Sequence, residues 1–265
     1  MTDNNEHQKL TLHDIEVGIM RKGSGPPLVM LHGGGGPVSA MLFAERLAER
    51  FEIIAPIHPG FDGTPIPDRF DDMEDLTFLY LDLMDALNLS DAVLMGFSLG
   101  GWAAASMAVM TTERISKLIL VDAVGIKPGG RDDRDIADVF ALRPENLVEL
   151  MWHEPANAPN PAEMSDEQVQ MLIANRTALA MYTWDPYMHD PRLKHRLHRI
   201  DVPTLLIWGE SDGLVTTDYA KAYRDLIPGA ALEIIAGAGH VPQAEQPKAF
   251  VEHVIKFAFG EVTGT

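Results

Sequence analysis

Hydrophobic and polar positions along the chain fall into a repeating order. Short apolar runs at Leu28–Leu31, Phe51–Ile57, Ala92–Met95, Lys117–Val121, Pro203–Trp208 and Ala231–Ile235 read as buried strands. Between them lie longer stretches with apolar residues at helical spacing. Ser39–Arg50 is one, with Ser39 as candidate N-cap. Asp72–Asn88 is another, carrying Leu76, Leu79, Leu83, Met84 and Leu87 on one face. Gly101–Met110, Thr217–Leu226 and Pro247–Phe259 complete the set, the last with proline in its first turn. Rough alternation over Leu10–Met20 suggests an N-terminal strand pair. Residues 1–9 are polar and are expected to fray.

Strand and helix in alternation imply a mostly parallel sheet of about eight strands with helices on both faces, an α/β architecture. The rhythm stops between Gly125 and Arg199, where charges, prolines and methionines dominate and no strand run appears. Ile136–Ala141, Pro144–Trp152, Ser165–Tyr182 and Pro191–Arg199 read as helices there, and Ser165 to Gln168 has the form of a capping box. A stretch of about 75 residues is too long for a structureless loop in a compact domain. The expected organisation is therefore a core of residues 1–124 and 201–265, with an all-helical cap inserted at 125–200.

Composition narrows the function. The 265 residues carry 21 Lys+Arg against 39 Asp+Glu, a formal charge of −18. Such a surface repels phosphate backbones and anionic lipid, which argues against nucleic-acid or membrane partners. There is no cysteine, so disulfides, thiolate nucleophiles and cysteine-held metals are excluded. The first twenty residues have no signal-peptide core and no run reaches the ~18 apolar residues of a membrane span, so the default expectation is a cytoplasmic protein.

The candidate chemistry sits just after the strands. Gly96-Phe97-Ser98-Leu99-Gly100 joins a strand to a helix with almost no loop, the setting of a nucleophile elbow. The bend would push the Ser98 hydroxyl out of the sheet and leave the Leu99 amide free at a helix N-terminus, where negative charge is favoured. His32-Gly33-Gly34-Gly35-Gly36-Pro37 follows the first core strand. A phosphate loop would need a Lys-Ser/Thr pair that is missing. An oxyanion loop needs only backbone amides brought close to a reacting oxygen. Asp212 follows the strand Pro203–Trp208, and His240 follows the last strand. A serine hydroxyl needs a base to take its proton, and that base needs an acid to fix its tautomer. Asp122 and Glu210 are rival acids. His58 lies in a rigid loop at the same edge, either lining a pocket or holding a turn. His195 and His198 read as part of a solvated basic helix face rather than as metal ligands, and no metal or cofactor is expected.

These motifs resemble the α/β-hydrolase fold over essentially the whole chain. The resemblance rests on the His32–Gly35 loop, the Gly96–Gly100 elbow, the Gly209-x-x-Asp212 turn and Gly239-His240. It implies Ser98, Asp212 and His240 as nucleophile, acid and base, with amides of Gly34 (Gly35 a close rival) and Leu99 as the oxyanion hole. The cap would choose a small, neutral or apolar substrate, with Trp152, Met181, Trp184, Tyr187 and Val241 as candidate contacts. Three functions follow: a serine hydrolase of esters or lactones; a carbon–carbon bond hydrolase of aromatic ring-fission products; and a receptor-like binder with little turnover. The glycine loop is similar to that of the second branch, which usually has Trp after the catalytic His, where this chain has Val241. A monomer or a homodimer is expected.

Overall fold

The computed structural model describes residues 6–41 and 43–260. Its eight strands are β1 (Glu6–Leu12), β2 (Ile15–Gly23), β3 (Pro27–Leu31), β4 (Glu52–Pro56), β5 (Ala92–Phe97), β6 (Ile115–Val121), β7 (Thr204–Gly209) and β8 (Ala231–Ile235). They form one sheet in the order β1-β2-β4-β3-β5-β6-β7-β8. Only β2 runs against its neighbours, and every pair from β4 through β8 is parallel. β5 and β7 are buried along their whole length. That is why they read as continuous apolar runs rather than alternating ones.

Alternate strand residues feed two cores. Val29, Leu31 and Leu94 face the layer of α3 (Met73–Ala86), α4 (Leu99–Met110) and α7 (Thr217–Leu226). Leu28, Met30, Val93 and Met95 face α2 (Ala44–Ala48) and α9 (Pro247–Phe259). Helices therefore cover both faces, as the strand–helix alternation requires. The capping box at Ser165 and Gln168 is present at the start of α6 (Asp166–Thr183).

Several local expectations need correction. Of the N-terminal stretch expected to fray, residues 1–5 lie outside the described residues, while Glu6 to Lys9 belong to β1. The helix expected over Ser39–Arg50 is two short ones, α1 (Pro37–Met41) and α2, with Phe43 at the join. The Phe43 ring turns into the core against Phe97 and Phe250, at centroid distances of 5.6 and 4.9 Å. That burial, which periodicity does not reveal, dictates the break. The proposed Ser39 cap lies outside the described side chains. Between β6 and β7 only α5 (Pro144–Met151) and α6 are α-helices. Ile136–Ala141 is irregular, with Ile136 bridged to Val215. Pro191–Arg199 is two 3₁₀ turns, Leu193–His195 and Leu197–Arg199, in which Leu193 and Leu197 are the buried residues. No helix among the described residues is long and apolar enough to cross a membrane.

Candidate active site

β3, β5, β6, β7 and β8 end at one edge of the sheet, and the polar residues converge just beyond their last residues. Leu31 pairs with Gly96 in the ladder, so His32 and the glycine loop emerge beside Phe97 and Ser98. At the elbow, Ser98 has φ +49° and ψ −109°, a conformation that L-residues rarely adopt. It is held there from both sides: the Ser98 amide donates to Val121 O at 2.8 Å and its carbonyl accepts from Trp102 N at 3.2 Å. A Cβ on Gly96 would lie 2.2 Å from Gly100 O, and one on Gly100 would lie 2.1 Å from Leu31 O. Only glycine at both positions lets α4 start this close to the sheet.

Ser98 Oγ lies 3.1 Å from His240 Nε2. On the far side of the ring, His240 Nδ1 is 2.8 Å from Asp212 Oδ2. The other Asp212 oxygen accepts the amides of Leu214 and Val215, each at 2.9 Å. With Nδ1 facing a carboxylate, the proton belongs on Nδ1 and Nε2 is left as the acceptor toward Ser98. His240 and Asp212 are buried, whereas Ser98 is partly open. A hydroxyl, an imidazole and a carboxylate in this order can move a proton from nucleophile to base and stabilise the imidazolium that results. Of the rival acids, Glu210 accepts from the Gly237 amide at 3.4 Å. Asp122 is buried behind Asp212 and accepts from Gly209 N at 3.0 Å. Burial, and then the charge of Asp212, push the Asp122 carboxyl well above the usual range.

The glycine loop lies against this elbow. A Cβ on Gly33 would be 3.3 Å from Ser98 Cβ. Gly36 N closes the turn onto Gly33 O at 3.1 Å. Leu99 is the first residue of α4, so its amide has no acceptor within the helix. A backbone amide left free at a helix N-terminus is a position where negative charge is favoured.

Beneath the loop lies a buried polar stack. His58 N donates to His32 Nε2 at 3.0 Å, and His58 Nε2 is 2.7 Å from His32 O. His58 Nδ1 pairs with the Tyr80 hydroxyl, and the two imidazoles stack at 3.6 Å. Burial brings the His32 pKa down to about 4. Burial, followed by the proximity of His32, lowers His58 as well. Both rings are neutral supports that fix the path of the loop. His58 therefore holds a turn and does not line a pocket.

Residues of the helical segment that meet the loop differ from those expected. α6 turns Asn175, Ala178, Leu179 and Tyr182 toward the sheet edge, a face at helical spacing. Asn175 Oδ1 accepts from Asp62 N at 2.9 Å, and its amide nitrogen donates to Gly35 O at 3.4 Å. A Cβ on Gly34 would lie 2.8 Å from the Leu179 side chain. The Tyr182 hydroxyl donates to Pro59 O at 3.0 Å. Of the aromatic candidates, Trp184 is 66% exposed and lies beside Phe140. Tyr187 spends its hydroxyl on Ala137 O and Val139 N. Met181 packs on the larger core, and Trp152 caps the end of α5. Val241 adjoins His240 at the start of α8 (Pro242–Glu245). Aromatic content pointed to Trp184 and Tyr187, whereas the helical phase of the buried Asn175 was the usable signal for the docking face.

A second tie links this segment to His240. His240 N donates to Met151 O at 2.7 Å, and Gly213 N to Leu150 O at 2.9 Å, so the last carbonyls of α5 hold both the His240 and Asp212 loops. Glu245 accepts from Gly239 N at 2.6 Å, His153 N at 3.2 Å and Glu154 N at 3.1 Å. Nothing in the local sequence around Glu245 marks it for this task.

Fold and site define a chain whose nucleophile candidate sits on a strand–turn–helix bend, with its partners on later strands. Residues 28–253 match the model of the alpha/beta hydrolase family, and the chain belongs to that family. It is similar to the pimeloyl-[acyl-carrier protein] methyl ester esterase of Photobacterium profundum, at 28% identity over 89% of this chain and 96% of that protein. It is also similar to the 2-hydroxy-6-oxo-6-(2'-aminophenyl)hexa-2,4-dienoic acid hydrolase of Metapseudomonas resinovorans, at 25% identity over 92% of this chain and 87% of the other. Among solved structures it resembles a meta-cleavage product hydrolase with a TM-score of 0.79 and 20% identity, covering 96% of this chain and 98% of that one. These relatives are hydrolases by name.

Proposed function

We propose that this protein is a serine hydrolase acting on a small, neutral or apolar ester or lactone through an acyl-enzyme. The observation that carries the reading is the continuous relay from Ser98 Oγ to His240 Nε2 at 3.1 Å and from His240 Nδ1 to Asp212 Oδ2 at 2.8 Å. Ser98 attacks the carbonyl carbon as His240 takes the hydroxyl proton. The oxyanion forms against the amides of Leu99 and Gly34, with Gly35 next in the loop. His240 returns the proton to the leaving alcohol, which departs. Water then enters, gives a proton to His240 and attacks the acyl carbon, and collapse frees the acid and restores Ser98. Asp212 stays ionised throughout and stabilises the imidazolium. Residues 125–200 act as the cap that selects the substrate, with Leu179 over the glycine loop as one wall.

A second reading is hydrolysis of a carbon–carbon bond in a dienoic ring-fission diketone. The similarity to a dienoic acid hydrolase over 92% of this chain favours it. Val241 where that branch carries Trp weighs against it. Both readings use the same three residues. The test is turnover of short p-nitrophenyl esters and of a dienoic diketone by the wild type and by Ser98→Ala. The expected result is ester hydrolysis that falls by ~10⁴-fold or more in Ser98→Ala. Diketone cleavage exceeding ester cleavage would select the second reading. Undiminished turnover in the variant, or binding without turnover of either substrate, defeats both.

A further inference from the structure

The triad candidates leave one buried carboxyl unexplained. Asp122 follows β6, and its amide donates to Ile207 O at 3.0 Å, which locks it against the start of the Asp212 loop. Oδ1 accepts from Gly209 N at 3.0 Å. Oδ2 is buried and has no hydrogen-bond partner as a bare carboxylate oxygen. One ligand atom each from Asp122, Asp212 and His240 lies within 4.8 Å of the others. Asp212 has both oxygens committed, one to the Leu214 and Val215 amides and one to His240. The charged or titratable groups acting on Asp122 are Asp212 from the loop after β7 and Glu245 from α8, with His240 from the loop after β8 in the same cluster. Both named carboxylates repel a charge on Asp122, and the buried acceptor Oδ2 is satisfied only if it carries a proton to donate.

We infer that Asp122 is a neutral carboxylic acid in the resting protein, bearing its proton on Oδ2 toward Asp212, and that it stands as a reserve acid for His240. The inference rests on the relay proposed above for its second half only. With Asp212 in place, the proton on Asp122 keeps the two-carboxyl group at a single negative charge, which one imidazolium neutralises. Burial and the charge of Asp212 both raise the Asp122 carboxyl, in keeping with the orphaned oxygen. When Asp212 is replaced by a neutral residue, the strongest repulsion on Asp122 disappears. Asp122 then releases its proton to water, and its carboxylate, within 4.8 Å of the imidazole, stabilises the imidazolium from a second side.

Two measurements test this. Carbon-13 NMR of aspartate-carboxyl-labelled protein reads the protonation state directly. One carboxyl should remain protonated at pH 7 in the wild type and in Ser98→Ala. That signal should vanish in Asp122→Asn and move to the ionised position in Asp212→Ala. The second measurement is ester turnover in a double-mutant cycle. Asp212→Ala should lose ~10²–10³-fold, less than a full loss of the acid's role. Asp122→Asn should lose less than about tenfold, because asparagine keeps the acceptor for Gly209 and a donor toward Asp212. The double variant should fall at least about another tenfold below Asp212→Ala. Asp212→Asn replaces the alanine variant if circular dichroism shows that the latter does not fold. An ionised Asp122 at pH 7 in the wild type, or a double variant no slower than the single one, overturns the inference. Wild-type turnover unaffected by Ser98→Ala instead overturns the hydrolase reading, while the NMR signal still decides the state of Asp122.

Discussion

At the scale of single residues, the site depends on groups whose roles are chemical and on others whose roles are positional. Ser98, Asp212 and His240 were legible because each follows a strand run and carries a recognisable chemistry. Their order along the chain is the nucleophile, acid, base order that the resemblance to α/β-hydrolases implies. Asn175 was not legible. It sits in a helix of mixed polar and apolar residues, and its importance comes from bonding two loops more than a hundred positions earlier in the chain. Asn175→Ala leaves the Asp62 amide without that acceptor and the Gly35 carbonyl without that donor. The expected cost is ~1–3 kcal/mol of stability, as for other buried polar groups left unpaired. The glycine loop would also lose its tie to α6, so kcat should fall by about tenfold with a smaller change in KM, as befits an oxyanion donor moved out of place. Denaturant titration and ester kinetics on the variant check both parts. An unchanged kcat would leave Asn175 as packing only.

At the scale of elements, strands and core helices followed their patterns because burial on one or two faces imposes the period. The inserted segment did not. Ile136–Ala141 and Pro191–Arg199 have apolar residues at spacings a helix would accept, yet they form irregular chain and 3₁₀ turns. Leu193 and Leu197 bury themselves from two successive short turns, a solution that tertiary packing chooses over propensity. The more consequential surprise is that α5 ends on the loops that carry Asp212 and His240. Leu150 and Met151 carbonyls hold the Asp212 and His240 loops, and Glu245 gathers three amides at the same junction. Glu245→Ala removes all three acceptor bonds at once. His240 should then wander relative to Ser98, lowering kcat by roughly tenfold or more with KM less affected. Glu245→Gln, which keeps the acceptor oxygen, should recover part of the loss. Equal activity in the alanine variant and the wild type would show that α5 alone suffices to hold the loop.

For the whole molecule, the buried ionisable groups set a pH dependence of stability with two opposing parts. Burial holds the His32 pKa near 4 in the folded chain, against an ordinary value of 6.5. His58 is shifted in the same direction. Unfolded chains therefore bind more protons than folded ones as pH falls from 6.5 toward 4, and stability drops across that window. For His32 alone the loss is ~3 kcal/mol. Asp122 acts the other way. Its folded-state pKa lies above its unfolded value of 3.8, so its contribution is greatest below that value and is lost as pH rises through the folded pKa. Denaturant midpoints should fall between pH 6.5 and 4, and Asp122→Asn should raise the midpoint at pH 7 more than at pH 4. A midpoint that stays level over that acid range in Asp122→Asn, where the opposing part is gone, would contradict buried neutral histidines.

What the sequence by itself determined is the class of fold and the candidates for the reacting side chains. Both are local properties: burial period shows within a few residues, and a nucleophile elbow is a pentapeptide between a strand and a helix. Tertiary structure alone decided between Asp212 and Asp122 as the neighbour of His240, since both end strands at the same sheet edge and differ only in where the next loop carries them. It also decided that Asn175, Leu179 and Glu245, not the exposed Trp184, meet the loops around Ser98. The Asn175 and Leu179 contacts join residues far apart in the chain, and no pattern within either partner encodes the distance between them.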